Sequence, residues 1–141
     1  MRLKLDAVYE PLEVEVGGEV VHLSIDLSDE TRLERSQACL AASQRLAAVA
    51  KLAEDAEARQ DAEAAKRLQR DYAKDLRSVT ALMVGEEGAE AVLGALKGGR
   101  DVPDAACNGQ MAKLVGAIAE VVAARNATAE GGTEGDAGAQ A

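Results

Sequence analysis

Few side chains in this sequence could carry catalysis or bind a metal. His22 is the single histidine, and it falls on the polar face of a predicted strand with no acid–nucleophile pair near it in sequence. A general base needs an oriented partner, so the pattern does not favour a catalytic role. Cys39 and Cys107 lie far apart and match no metal-ligand spacing, which is typical of buried, reduced thiols. The sequence therefore predicts a protein that is not an enzyme and holds no cofactor and no metal.

Two other patterns look like ligand sites at first and favour a structural explanation. The segment Gly85 to Gly88 is rich in Gly and Glu, but no Lys-Ser/Thr pair follows it and no strand precedes it, so it is not a phosphate loop. A basic stripe at Lys66, Arg70, Lys74 and Arg77 is interleaved with acids and is typical of a solvated helix face. The net charge of −9 argues against general nucleic-acid binding.

The elements that must position these residues are dominated by one stretch, Asp29 to Val84. It holds no Gly, Pro or Asn and consists mostly of strong helix formers. Two interpretations remain open: one continuous helix, or an antiparallel helix pair that turns near Asp55 to Asp61. The absence of helix breakers favours the continuous helix. A strict coiled coil is disfavoured, because no heptad pattern of large apolar residues runs through the middle.

The flanking segments show clear local signals. Leu12 to Val16 and Val21 to Leu27 alternate apolar and polar residues around Gly17-Gly18, which predicts a β-hairpin with a primed turn. Residues 2–9 also alternate, so a third strand is an option, and Pro11 is expected to interrupt the pairing. Gly85 is expected to stop the long helix. A short helix from Glu86 to Leu96 and a last helix that ends near residue 126 should follow.

These elements predict a mainly α fold in which an N-terminal β-hairpin packs on a long helix and two shorter helices. Residues 1–126 should form a single domain, with the hairpin in residues 1–27 and the helices in residues 28–126. We expect residues 127–141 to be a disordered acidic, Gly- and Ala-rich tail, since they contain almost nothing to bury. The sequence has no signal peptide and no apolar run of 18 residues, so we expect an intracellular protein without a membrane partner.

The order of these elements resembles that of the small tail assembly chaperones of long-tailed (siphovirus-like) bacteriophages and prophages. The resemblance is carried by the acidic hairpin with its Gly turn, by the Asp26–Glu30 start of the long helix, and by Val84 to Gly94. In that family an apolar-Gly-Glu-Gly-like turn ends a helix, and a short helix closes on a Phe-Gly or Leu-Gly pair. Here Leu93 and Gly94 match this pair, whereas the aromatic residues common in the family are absent.

The resemblance implies a non-enzymatic protein of the host bacterial cytoplasm that binds the tape-measure protein while tail-tube subunits polymerise around it. The tail-tube protein would be a second partner, and a homo-oligomer and a frameshifted longer form are left open. The alternative is a structural helical adaptor or scaffold with a fixed protein partner.

The expected partner surface lies on the Ala-rich part of the long helix. Two apolar stripes, one on the second half of that helix and one on the last helix, should pack on each other. That pairing leaves the region around Leu46 without a cover of equal length. Uncovered apolar patches usually mark interfaces. The predicted partner-binding residues are Leu46, Val49, Ala50, Leu52 and Ala53.

Overall fold

The structure, a computed structural model, describes the backbone of residues 1–30 and 32–140, and the side chains of these residues except Asn126 and residues 128–140. The predicted fold class is confirmed: the chain is 69% helical and carries an N-terminal antiparallel hairpin. The elements are β1 (Tyr9–Val16), β2 (Glu19–Asp26), α1 (Arg32–Ala58), α2 (Ala62–Lys97), a short 3-10 turn (Asp104–Cys107) and α3 (Asn108–Gln140). Of the predicted disordered tail, residues 127–141, only the Ala127 side chain is described, so this prediction lies outside the described residues.

The hairpin forms as its alternation predicts. Gly17 and Gly18 both have positive φ, 56° and 86°, as a primed two-residue turn requires. The predicted interruption at Pro11 is wrong: Pro11 lies within β1, opposite Ser24. Proline is tolerated there because β1 is an edge strand, so the missing N–H costs no ladder hydrogen bond. Residues 1–7 form no regular secondary structure, and the third strand is absent from the described part of the sheet.

The preference for one continuous helix is wrong, and the alternative of a helix pair is correct. α1 ends at Ala58, Gln60 takes a left-handed φ of 60°, and the Asp61 side chain accepts a hydrogen bond from the Ala64 N–H at 3.1 Å as the cap of α2. Arg45 lies 3.4 Å from Asp75 across the pair, which shows that the two helices run antiparallel. The burial of one face of each helix outweighs the cost of a turn that contains no glycine.

The inner face of α1 repeats every seven residues, contrary to the expectation from its large apolar residues. Seven of the buried or half-buried positions are spaced alternately by four and three: Arg35, Cys39, Ala42, Leu46, Val49, Ala53 and Ala56. This is the spacing by which two helices pack along a seam. Because four of its members are Ala or Cys, the repeat does not stand out as a stripe of large side chains. Small residues there let the backbones of α1 and α2 approach closely.

Gly85 ends the first part of α2, as expected, but it acts as a kink and not as a stop. Its φ of 84° and ψ of 159° interrupt the helix, which then resumes and runs to a left-handed cap at Gly98. β2 packs against α2 beside this kink: a Cβ added at Gly88 would meet the Leu23 side chain at 3.3 Å. The kink thus directs the second part of α2 across the hairpin.

One core joins the hairpin to the three helices. The two predicted apolar stripes do share this core, which confirms their pairing: Leu76, Val79 and Met83 of α2 belong to the same buried cluster as Met111, Leu114 and Ile118 of α3. The inner face of β2 completes the cluster with Val21, Leu23 and Ile25. Asn108, at the start of α3, donates hydrogen bonds to the Gln69 carbonyl at 2.9 Å and to its side-chain oxygen at 2.8 Å. No helix in the described residues is long and apolar enough to cross a membrane.

Candidate protein-binding surfaces

The five predicted partner-binding residues do not share one exposed surface. Ala53 is buried at 3% exposure, and Leu46 and Val49 are half-buried against α2, so the expectation that these three are uncovered is wrong. The reason is the helix pair, which turns α2 back onto this face of α1. Ala50 and Leu52 are exposed, and their part in partner binding stays a prediction.

The exposed apolar residues of α1 lie mainly on its outer face. Leu33 is 70% exposed and Leu40 is 63% exposed, and their spacing of seven places them on one line along the helix. This line lies on the side of α1 that is turned away from α2, because Leu40 is about 200° around the helix from the buried Ala42 and about 100° from the half-buried Cys39. Leu52, at 53% exposure, lies on a flanking line. We call Leu33 and Leu40 the outer leucine pair.

A second apolar surface is a groove between β1 and the helices. It has a volume of about 540 Å³ and is open to solvent. Its apolar walls are Leu12, Val14 and Val16 on one side and Val92, Leu96 and Leu114 on the other. It exists because α2 covers β2 closely and leaves the inner face of β1 only partly covered. The residue pattern of β1 predicts a half-buried strand, but the groove itself depends on where the helices lie.

The densest group of charges ties the kinked helix together. Arg77 contacts Glu90 at 2.8 Å and Asp104 at 3.3 Å, and Lys97 donates a hydrogen bond to Asp104 at 2.6 Å. The hydrogen bond from Lys97, outweighing partial burial, lowers the pKa of Asp104, and the bond from Arg77 and the two positive charges add to this. For Arg77, burial acts to lower the pKa, but its bonds to Asp104 and Glu90 raise it above the usual value.

This charge cluster joins the two parts of α2 to the 3-10 turn, since Arg77 precedes the kink, Glu90 follows it and Asp104 begins the turn. Its members neutralise one another, and in the described part of the chain their ion pairs involve neither a histidine nor a thiol. Such an arrangement stabilises a fold and supplies no nucleophile or poised base. The Arg77 end of the predicted solvated stripe therefore has a structural role.

Among the described residues, the histidine and the half-buried thiol lie on different elements, His22 on β2 and Cys39 on α1. His22 is exposed on the outer face of β2, as predicted, with Nδ1 3.7 Å from the Glu13 carboxylate. Burial raises the pKa of the Cys39 thiol, against the opposing charge of Arg35, so the thiol stays protonated and weakly nucleophilic. Within the side chains that the structure describes, no cluster of His, Cys, Asp or Glu could hold a metal ion.

Comparison of the chain with protein families, with curated proteins and with solved structures finds no match. The candidate sites therefore depend on geometry alone. Sequence reasoning missed both the outer leucine pair and the groove. The spacing of the leucine pair could have been recognised in the sequence, because two leucines seven residues apart fall on one side of a helix. Which side faces outward depends on the position of α2.

Proposed function

We propose that this chain is a non-enzymatic assembly protein that binds apolar helical segments of a partner. In its specific form the proposal is the one that the family resemblance implies: a phage tail assembly chaperone that binds the tape-measure protein in the host bacterial cytoplasm until the tail-tube protein polymerises. The observation that carries the proposal is the outer leucine pair, exposed on a 27-residue helix.

The outer leucine pair suits a partner helix of matching pattern. A helix that carries apolar residues every seven positions would lay them along Leu33 and Leu40, in the way in which helices pack along a shared seam. Covering each leucine would contribute about 1–2 kcal/mol, less than full burial of such a side chain because a third of each is already covered. A surface of this size supports a transient contact, which a helper released during assembly requires.

The charges of α1 are compatible with this contact. The helix carries four basic and four acidic residues, so it repels neither an acidic nor a basic partner over long range. The side chains next to the outer leucine pair on the same face, Gln37 and Gln44, are polar and uncharged. They keep the free protein soluble at little desolvation cost when a partner helix covers them.

The test is co-expression with the tape-measure protein encoded in the same genome, followed by measurement of its soluble fraction and of co-purification. We expect the parent chain to keep the tape-measure protein soluble and L33Q/L40Q to lose this effect. The control is Q37A/Q44A, which alters the same face without removing a leucine. Thermal unfolding should show both variants folded, because all four side chains are exposed.

Three outcomes would decide against the chaperone. The first is a tape-measure protein that stays insoluble with the parent chain. The second is equal activity of L33Q/L40Q and the parent, which would exclude this surface. The third is a gene neighbourhood that lacks a major tail protein upstream and a very long helical reading frame downstream. A stable complex with a different protein, not released on assembly, would favour the structural adaptor.

A further inference from the structure

The segment before the hairpin, residues 1–7, is apolar on one side, and all its side chains are exposed. We call it the N-terminal arm. Leu3 is 79% exposed and Leu5 is 84% exposed, although both alternate with polar residues as in a strand with one buried face. The arm is attached at its end and not along its length: Arg125 of α3 donates a hydrogen bond to the Ala7 carbonyl at 2.6 Å and contacts Asp6 at 3.8 Å.

β1 offers a free edge to which a strand could be added. The two-residue turn makes Val16 and Glu19 a hydrogen-bonded pair, and such pairs then alternate along the ladder. The bond from the Leu27 N–H to the Val8 carbonyl, 2.7 Å, fits this phase. The backbone groups of the odd-numbered residues of β1, among them Pro11, Glu13 and Glu15, therefore point away from β2. In the described sheet no third strand meets them.

The side chains beside this edge complement those of the arm in their apolar pattern and in their charge. On the inner face, the half-buried Leu12, Val14 and Val16 border the apolar groove of about 540 Å³. On the outer face, β1 presents the exposed acids Glu13 and Glu15. The arm carries the complementary set: leucines at alternate positions for the inner face, and Arg2 and Lys4 at the positions between them for the outer face.

We propose that the N-terminal arm of a second copy of this chain adds as an antiparallel third strand along the free edge of β1. When Arg2 lies opposite Glu15, the next outward pair brings Lys4 opposite Glu13. The same register places Leu3 beside Val14 and Leu5 beside Leu12, at the mouth of the groove. Asp6 then lies opposite Pro11 and not opposite an acid, so one register satisfies the side chains of both faces. Pro11 has no N–H to donate at this position, so the added ladder forms mainly through the backbone groups of Glu13 and Glu15.

The arm of the same chain does not lie on this edge. The Val8 carbonyl already accepts a hydrogen bond from Leu27, and Arg125 holds the Ala7 carbonyl. To reach the edge, residues 7–8 would have to reverse the chain in a tight turn, and Arg125 would have to release that carbonyl. The residues of the same chain that line the groove on this side belong to β1, which runs away from the arm. A second copy has no such restriction, and exchange of arms between two copies gives a closed dimer in which both edges and both grooves are covered.

The experiment measures the molar mass of the full chain by sedimentation over a range of concentrations, with reversed charges on either partner surface. The variants are R2E/K4E in the arm and E13K/E15K on the edge, and the control is E54K/E57K on α1, away from both. We expect the parent and the control to dimerise, and each of the first two variants to dimerise at least tenfold more weakly. L3S/L5S should weaken the dimer similarly without lowering the unfolding temperature, because both leucines are exposed in the monomer.

The decisive sample is an equimolar mixture of R2E/K4E and E13K/E15K chains. In the mixture one acidic arm meets one basic edge, so a heterodimer should form although each variant alone is largely monomeric. A chain that carries all four reversals should dimerise like the parent. The proposal is overturned if the parent is monomeric at every concentration, if the charge reversals leave its dimer unchanged, or if the mixture stays monomeric. The dimer should form without a tape-measure partner, for which the proposed surface is on α1.

Discussion

Replacing Gly85 with alanine tests whether the kink in α2 depends on the backbone of one residue. At φ 84° and ψ 159°, Gly85 lies in a region of the Ramachandran plot that residues with a Cβ scarcely populate. Holding alanine in this conformation costs about 1–3 kcal/mol, and the loss of glycine's freedom in the unfolded chain offsets about 0.4–1 kcal/mol of it. An added Cβ would meet no atom within 4 Å, so no steric clash adds to the cost. We expect a net destabilisation of about 1–2 kcal/mol.

The alternative response to Gly85→Ala is for the substituted position to become helical and straighten α2, which would cost more. Val92 and Leu93, 1% and 4% exposed, lie beyond the kink and would leave the core. Each contributes about 1.5–3 kcal/mol of burial energy. Arg77 would also lose its 2.8 Å contact with Glu90. The strained kink therefore has the lower free energy of the two, and its strain determines the expected destabilisation of Gly85→Ala.

Gly94→Ala is the matched control, since it makes the same change in the same helix at an exposed position with open space around it. There alanine should stabilise the protein by up to about 1 kcal/mol. Thermal unfolding followed by far-UV circular dichroism should separate the two variants by roughly 8–12 °C, at about 4 °C per kcal/mol. If Gly85→Ala is as stable as the parent or more stable, the positive φ does not determine the kink and the reasoning is wrong.

Three further variants test the turn, the charge cluster and the helix pair. Gly18→Val should lower the free energy of unfolding by about 1 kcal/mol or more, because valine resists a φ of 86°, and an unchanged urea midpoint would contradict this. Asp104→Asn should cost about 1 kcal/mol at neutral pH. Since the folded state lowers the pKa of Asp104, this stabilisation is present above the unfolded carboxyl pKa of about 4 and is lost as pH falls through the folded pKa. The unfolding curves of parent and variant should therefore converge in acid. Curves that stay apart there would refute the assignment. Val49→Glu should destabilise the protein by about 1–2 kcal/mol because Val49 faces α2, whereas Leu40→Glu should change the free energy of unfolding by less than about 0.5 kcal/mol. Equal effects of the two substitutions would contradict the assignment of Val49 to the inner face of α1 and of Leu40 to its outer face.

Local backbone chemistry allowed several elements to be predicted from the sequence. Gly17-Gly18 between two alternating segments specifies a primed turn, because only glycine takes two consecutive positive φ values without strain. The large apolar residues of α2 and α3 recur at helical spacing, so their faces and their mutual packing were predictable. Gly85 could be predicted to interrupt the long helix, but whether the helix stops or continues past it depends on what the following residues contact.

The turn between α1 and α2 could be recognised only in the tertiary structure. Gln60 and Asp61 are weak local signals against 56 residues of strong helix formers, and propensity alone favours a continuous helix. Burial of the seven-residue repeat on α1 reverses this preference, and that burial requires α2 to fold back. The Asp61 cap, visible once the break is known, then stabilises the new helix start.

The sequence by itself determined the fold class, the hairpin with its turn, and the faces marked by large side chains. The tertiary structure decided which surfaces remain for partners. Ala53 is buried and Ala50 is exposed on the same helix, and an alanine pattern cannot distinguish them, because alanine is compatible with core and surface alike. The outer leucine pair and the groove beside β1 likewise arise from the positions of α2 and α3. Exposure is a property of what packs nearby, and distant parts of the chain supply that packing.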